Sequence, residues 1–157
     1  MYLVSTMIRN ATPLDALRVL SLAEAYVNEA GEYAGLSYDS ELAIGNMLSA
    51  IQDDRHLFIL SVNTKGEVIG MLWAVCVAAL PWSPSKVAMD QIVYLLPEYR
   101  GTRYGLELLL SYDRWAEEND AAEIRLSIAS GLHENKTGKL YEKLGYSYLG
   151  SQYRRKL

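Results

Sequence analysis

Arg100, Gly101, Arg103 and Gly105 crowd into LLPEYRGTRYGLELL, where an apolar, strand-like run stops at Pro97 and a helical pattern begins almost at once. A helix that opens this way presents N–H groups with no partner inside the helix and carries partial positive charge at the same end. Glycine lets backbone come close to a ligand, and arginine adds a charge that does not titrate. The chemistry this favours is binding of an anion, a pyrophosphate in particular. Other chemistries have less support. Cys76, the single cysteine, lies inside MLWAVCVAAL and reads as a small core hydrophobe, not a nucleophile. His56 and His133 are the only histidines and neither has metal-ligand spacing, so no metal is expected.

The elements that position this segment follow from periodicity. Residues 2–8 form a β-prone run, and Thr12-Pro13-Leu14-Asp15 then supplies a cap, a proline at the first helical position and an acid in the first turn. Ala16, Val19, Leu20, Ala23, Tyr26 and Val27 give the helix that follows an apolar face, and it ends near Gly31. Asp39 or Ser40 caps a second helix with the stripe Ile44, Met47, Leu48, Ile51. Strands at 56–62 and 67–78 flank the turn Asn63-Thr64-Lys65-Gly66 as a hairpin, the second strand apolar on both faces and therefore central. A strand at 86–96, a helix at 101–119, a strand at 123–128, a helix at 136–144 stopped by Gly145, and a strand at 146–153 complete the chain.

Composition sets the outer bounds. The 157 residues, half of them hydrophobic and 22% charged, predict one globular domain spanning 1–157. A net charge of −4 disfavours a nucleic-acid partner. The longest uncharged stretch, 68–85, ends among prolines and is too short in continuous apolar length to span a bilayer, so no membrane partner is expected. MYLVSTMIRNAT lacks the basic start, apolar core and cleavage site of a secretory signal, which makes a cytoplasmic location the simplest expectation.

Two motifs carry a resemblance. PEYRGTRYG resembles the phosphate-binding motif of the GCN5-related N-acetyltransferase (GNAT) family, Arg or Gln, two residues, Gly, one residue, then Gly or Ala. Arg100 takes its first position and Gly105 its last, with Gly101, Thr102 and Tyr104 between, while Arg103 stands where the family has its middle glycine. LYEKLGY is similar to the family's last helix and strand, and the likeness begins at IRNATPLDALRVLSLAEA, so it covers nearly the whole chain. The resemblance implies a mixed, largely antiparallel central sheet flanked by helices, with two strands splayed to admit acetyl-CoA.

It also implies roles. The coenzyme would bind at Arg100 to Gly105, with main-chain contacts at Val93 and Leu95 and a weaker candidate in Asn135, which can instead cap the last helix. Tyr141 inherits the role of protonating the departing thiolate. Asp90, ranked above Glu98, is the candidate to take a proton from the attacking amine; Gln91 has no basic group and lies on the opposite face by strand alternation. Tyr33, Tyr38, Trp73 and Trp82 are candidates for lining the acceptor pocket. The activity implied is N-acetyl transfer from acetyl-CoA to a primary amine of a small molecule, peptide or protein by direct attack. The alternatives are a catalytically silent module that binds coenzyme or a partner on the same scaffold, and an anion-binding regulatory domain. The acceptor's identity and the oligomeric state stay open, a homodimer included.

Overall fold

Arg9 and Asp15 join the first strand to the first helix. In the computed structural model, which describes residues 7–31, 36–128 and 133–157, Arg9 at the end of β1 (Met7–Asn10) donates from both terminal nitrogens to Asp15, each at 2.8 Å. Asp15 closes the 3-10 turn Pro13–Asp15 and also accepts the Thr12 N–H at 2.8 Å, as the expected capping arrangement requires. Helix α1 (Ala16–Ala30) follows. Val19 is buried on its inner face as expected, but the most deeply buried residue is Leu22, which lay outside the predicted stripe. Asp39 caps α2 (Ser40–Ile51), accepting the Leu42 N–H at 2.9 Å.

Strands β2 (His56–Val62) and β3 (Val68–Ala78) form the hairpin. The Asn63 side-chain oxygen closes the turn by accepting the N–H groups of Lys65 and Glu67, both at 2.9 Å. With β4 (Lys86–Leu95) and β5 (Glu123–Arg125) they make a five-stranded sheet in the order β1-β2-β3-β4-β5. Among the described residues only the β4–β5 pair is parallel. One face packs α1 and α2 on Phe58, Leu60, Met71 and Tyr94. The other packs α3 (Arg103–Glu118) and the inner side of α4 (Glu134–Lys143) on Leu57, Ile59, Leu72 and Ala88. A mixed, mostly antiparallel sheet between helices is thus the fold. Among the described residues no helix is long and apolar enough to cross a membrane.

Two features of β4 bear on function. Its register against β3 passes from Trp73↔Ile92 to Ala74↔Asp90, so Gln91 is an extra, bulged residue. Its pairing with β5 covers only Val87↔Glu123, Ala88↔Ile124 and Met89↔Arg125, after which the strands part. Under the far end of β4, Gly70 of β3 lies so close that a Cβ there would stand 2.7 Å from Leu95 Cδ1 and 2.9 Å from the Tyr94 carbonyl oxygen.

The expected strand at 123–128 therefore stops at Arg125, because β4 has left it. The expected strand at 146–153 is not formed among the described residues: Tyr148 and Tyr153 are exposed, and no backbone ladder among those residues reaches them. Alternation specifies a strand only where an edge offers partners, and three residues of β5 offer few.

The Arg9–Asp15 pair sets a pH dependence. Hydrogen bonds from Arg9 hold the Asp15 carboxyl at about 2, against the opposing effect of burial. A depressed acid stabilises the fold above its ordinary value near 3.9 and loses that contribution as pH falls towards about 2. Discounted for the exposure of Arg9, we expect Asp15→Asn to cost about 1–2 kcal/mol at pH 7 and progressively less below pH ~4, measured by urea unfolding across pH.

Candidate active site

The carboxyl end of β4 turns into α3 through the 3-10 turn Pro97–Tyr99, Arg100, Gly101 and Thr102. Gly101 has φ +73°, a left-handed conformation in which a side chain is strained. Thr102 caps α3 in extended conformation, and the Tyr104 ring meets that of Tyr99 edge-on at 5.6 Å, fixing the first turn against the loop. The N–H groups of Gly101, Thr102 and Arg103 have no acceptor among the described residues. This row of donors at a helix N-terminus is the arrangement that receives a pyrophosphate.

The structure gives Arg100 partners that the sequence did not suggest. Its guanidinium is turned away from the helix end and committed within the protein. Two nitrogens donate to the Glu29 carboxylate of α1 at 2.6 and 2.7 Å, Nε donates to the Leu95 carbonyl at 2.9 Å, and the group lies 5.5 Å from the centre of the Tyr94 ring. Tyr94 donates its hydroxyl to the same carboxylate at 3.2 Å. Hydrogen bonds from Arg100 hold the Glu29 carboxyl below its usual range, against the effect of burial. Arg100 is therefore the tie between the loop and α1, and Leu95, expected to offer main-chain groups to the coenzyme, has its carbonyl engaged by that tie. Glu29 and Tyr94 were not found from sequence, since nothing local links residue 29 to residue 100.

Arg103, at the family's middle-glycine position, has an exposed side chain that reaches along α3 to Glu107 at 3.2 Å. Its backbone has helical geometry, so the arginine leaves the helix end open. Gly105 faces Leu95, where an added Cβ would make an ordinary 3.6 Å contact, in keeping with a position that accepts Gly or Ala.

Where β4 and β5 part, Asp90 spans the opening by accepting the Ser127 N–H at 3.0 Å and its hydroxyl at 3.1 Å. Burial pushes the Asp90 carboxyl up, with the Ser127 hydrogen bonds opposing it. Its charge in turn acts on Tyr26, Tyr112, Tyr141 and Tyr146. Tyr141 of α4 packs on the α3 side of the sheet with its ring 5.9 Å from Tyr146. Burial first, then the Asp90 charge, raises the Tyr141 phenol well above its usual value. Its hydroxyl has no hydrogen-bond partner among the described residues. The side chain therefore keeps its proton at neutral pH.

Val93 lies on β4 beyond the last β4–β5 pair. Asn135 lies exposed inside the first turn of α4; the helix starts at Glu134 with His133 as its cap residue, so Asn135 does not cap it. Glu98 is exposed. Of the aromatic candidates, Trp73 lines a cavity of about 360 Å³ between α1, α2 and the sheet. Trp82 is 80% exposed, Tyr38 is at the surface, and Tyr33 lies outside the described residues. No three His, Cys, Asp or Glu side chains among the described residues gather as a metal site.

The family profile described as "Acetyltransferase (GNAT) family" matches residues 19–146, which takes in the α3 loop, Asp90 and Tyr141. The chain belongs to the GNAT family. The uncharacterized N-acetyltransferase YdgE of Bacillus subtilis (strain 168) is 30% identical to this GNAT chain over 119 residues, 75% of this chain and 73% of YdgE. Among solved structures, a transcriptional regulator from Bacillus halodurans C-125 shares the fold with a TM-score of 0.78 at 18% identity, over 98% of this chain and 100% of its own. AAC(6')-Iy, in complex with the bisubstrate analog CoA-S-monomethyl-acetylneamine, shares it with a TM-score of 0.73 at 15% identity, over 98% and 99%.

The two arginines of this GNAT motif differ in what they hold. We expect Glu29→Gln, which leaves a half-buried guanidinium without its counter-charge, to destabilise the fold by about 1–2 kcal/mol. Arg103→Ala should stay within about 0.5 kcal/mol of the parent. Urea unfolding of both variants at neutral pH checks this ranking.

Proposed function

We propose that this GNAT chain is an N-acetyltransferase that uses acetyl-CoA and passes the acetyl group directly to a primary amine. The observation that carries the proposal is that the edge of β4 left unpaired by β5 after Met89 leads along the chain to the N–H groups at Gly101–Arg103, unpartnered among the described residues, with Asp90 at the start of that edge and Tyr141 packed on the α3 side of the sheet. A pyrophosphate would accept those N–H groups, and an extended arm would pass along β4 past Val93, where β5 offers it no competing ladder. AAC(6')-Iy, a protein of similar fold, is in complex with a CoA-derived bisubstrate analog, which supports a coenzyme-binding reading of this scaffold.

Acetyl-CoA supplies an acetyl carbon activated as a thioester. Attack by the amine forms a C–N bond as the C–S bond breaks, so one proton must leave nitrogen and one must reach sulfur. Tyr141 is the donor on this reading: its raised phenol holds the proton until a thiolate develops, and the same apolar surroundings raise the basicity of that sulfur. Asp90 takes the nitrogen's proton, directly or through water, as a carboxylate that burial has made more basic. Arg100 serves by holding the loop on α1, with its charge already met by Glu29.

That commitment of Arg100 also favours a second reading, a module that binds the coenzyme or a partner without turnover. Kinetics separates the two. We expect Tyr141→Phe to lower kcat by about 10²-fold while leaving the Kd for acetyl-CoA within about twofold, read by thiol release and calorimetry. Unchanged kcat removes Tyr141 from the reaction, and no thiol release by the parent chain with any amine supports the silent module.

A further inference from the structure

The cavity between α1, α2 and the sheet says what sort of amine fits, if the transferase reading above is right. Its floor is Phe58, Met71 and Trp73, and its sides are aliphatic, from Ala16 and Val19 of α1 to Ile44 and Met47 of α2. Among the described residues lining it none carries a charge, and the polar side chains are Asn46 and Gln91 alone. Its volume, about 360 Å³, sits at the low end of the range for small-molecule sites.

Two details sharpen this. The indole N–H of Trp73 is donated away from the cavity, to His56 Nδ1 at 3.0 Å, and its ring packs on Phe58 at a centroid distance of 5.1 Å. Trp73 thus offers the cavity an aromatic surface and no polar group. Because Gln91 is the bulged residue of β4, it and Ile92 both line this cavity instead of alternating across the sheet. The bulge turns Ile92 onto this face while Gln91 stays opposite Asp90, as alternation predicts, and Gln91 brings an amide with no hydrogen-bond partner among the described residues to the cavity wall.

We infer that the acceptor is a primary amine on an uncharged aryl or branched-alkyl body, seated on Phe58 and Trp73, with the Gln91 side-chain oxygen accepting a hydrogen bond from the amine nitrogen. A second ammonium group, or a phosphate, would be desolvated here with no opposite charge among the described lining residues to meet it. An apolar body loses only water.

The test uses the full chain saturated with acetyl-CoA, following thiol release with 2-phenylethylamine, 3-methylbutylamine, spermidine and glucosamine 6-phosphate. We expect kcat/KM for 2-phenylethylamine to exceed that for spermidine by about tenfold or more. Gln91→Glu, at an exposed position that leaves the core intact, should move that ratio towards spermidine by about tenfold, since it places a carboxylate in the cavity. Equal or better turnover of spermidine or of the sugar phosphate by the parent chain overturns the inference while leaving acetyl transfer standing. An unmoved ratio in Gln91→Glu overturns the placement of Gln91. The unfolding midpoint of the chain saturated with CoA, measured with each amine, gives a readout independent of turnover. A rise with 2-phenylethylamine and none with spermidine upholds the cavity's selectivity even if transfer itself fails, and no rise with 2-phenylethylamine overturns it.

Discussion

β4 and β5 stay together for three residue pairs and then separate, with Asp90 reaching across to Ser127 at the point of separation. Parallel strands that stop pairing expose main-chain donors and acceptors, which a folded protein must give to something. Here one side chain spans the start of the opening, and on our proposal the coenzyme takes the remaining edge of β4. The same divergence sets where β5 ends, why α3 can begin beside the far end of β4, and why Tyr141 of α4 lies within the field of the Asp90 charge. A continuous β4–β5 ladder would close the opening and remove the site.

Holding that opening in shape falls to contacts that look unrelated to chemistry. Glu29 and Tyr94 take up the guanidinium of Arg100, so the loop before α3 is anchored to a helix on the opposite side of the sheet. Gly70 lets Leu95 and Tyr94 press close at the carboxyl end of β4. With the loop fixed from behind, the N–H groups at Gly101–Arg103, unpartnered among the described residues, are held in place, and on our proposal an anion would bind there without reorganisation of the backbone. The cation of the motif is held within the fold, its charge met by Glu29.

Local features were legible in the sequence: the Asp39 cap, the Asn63 turn, the helical face of α3 and the Thr12–Asp15 capping box each depend on residues within one turn of one another. So was the turn into α3, because a proline-ended strand followed by a glycine-bearing helix start is local too. Tyr141 and Asp90 were reached through the family resemblance, and the structure brings them into electrostatic range without showing them at work. What the sequence hid is non-local. The bulge at Gln91 is a property of register against β3, the Glu29–Arg100 pair joins residues 71 apart, and the fate of 146–153 depends on an edge that β5 does not supply.

Hydrogen exchange of the backbone amides with and without acetyl-CoA tests the central claim most directly, since it reads the N–H groups at issue one by one. We expect amides 101–103 and the first turn of α3 to slow markedly when acetyl-CoA is bound, while those of β2 stay unchanged. Exchange at 101–103 that stays as fast with saturating acetyl-CoA as without it would contradict the assignment of the α3 N-terminus as the pyrophosphate site.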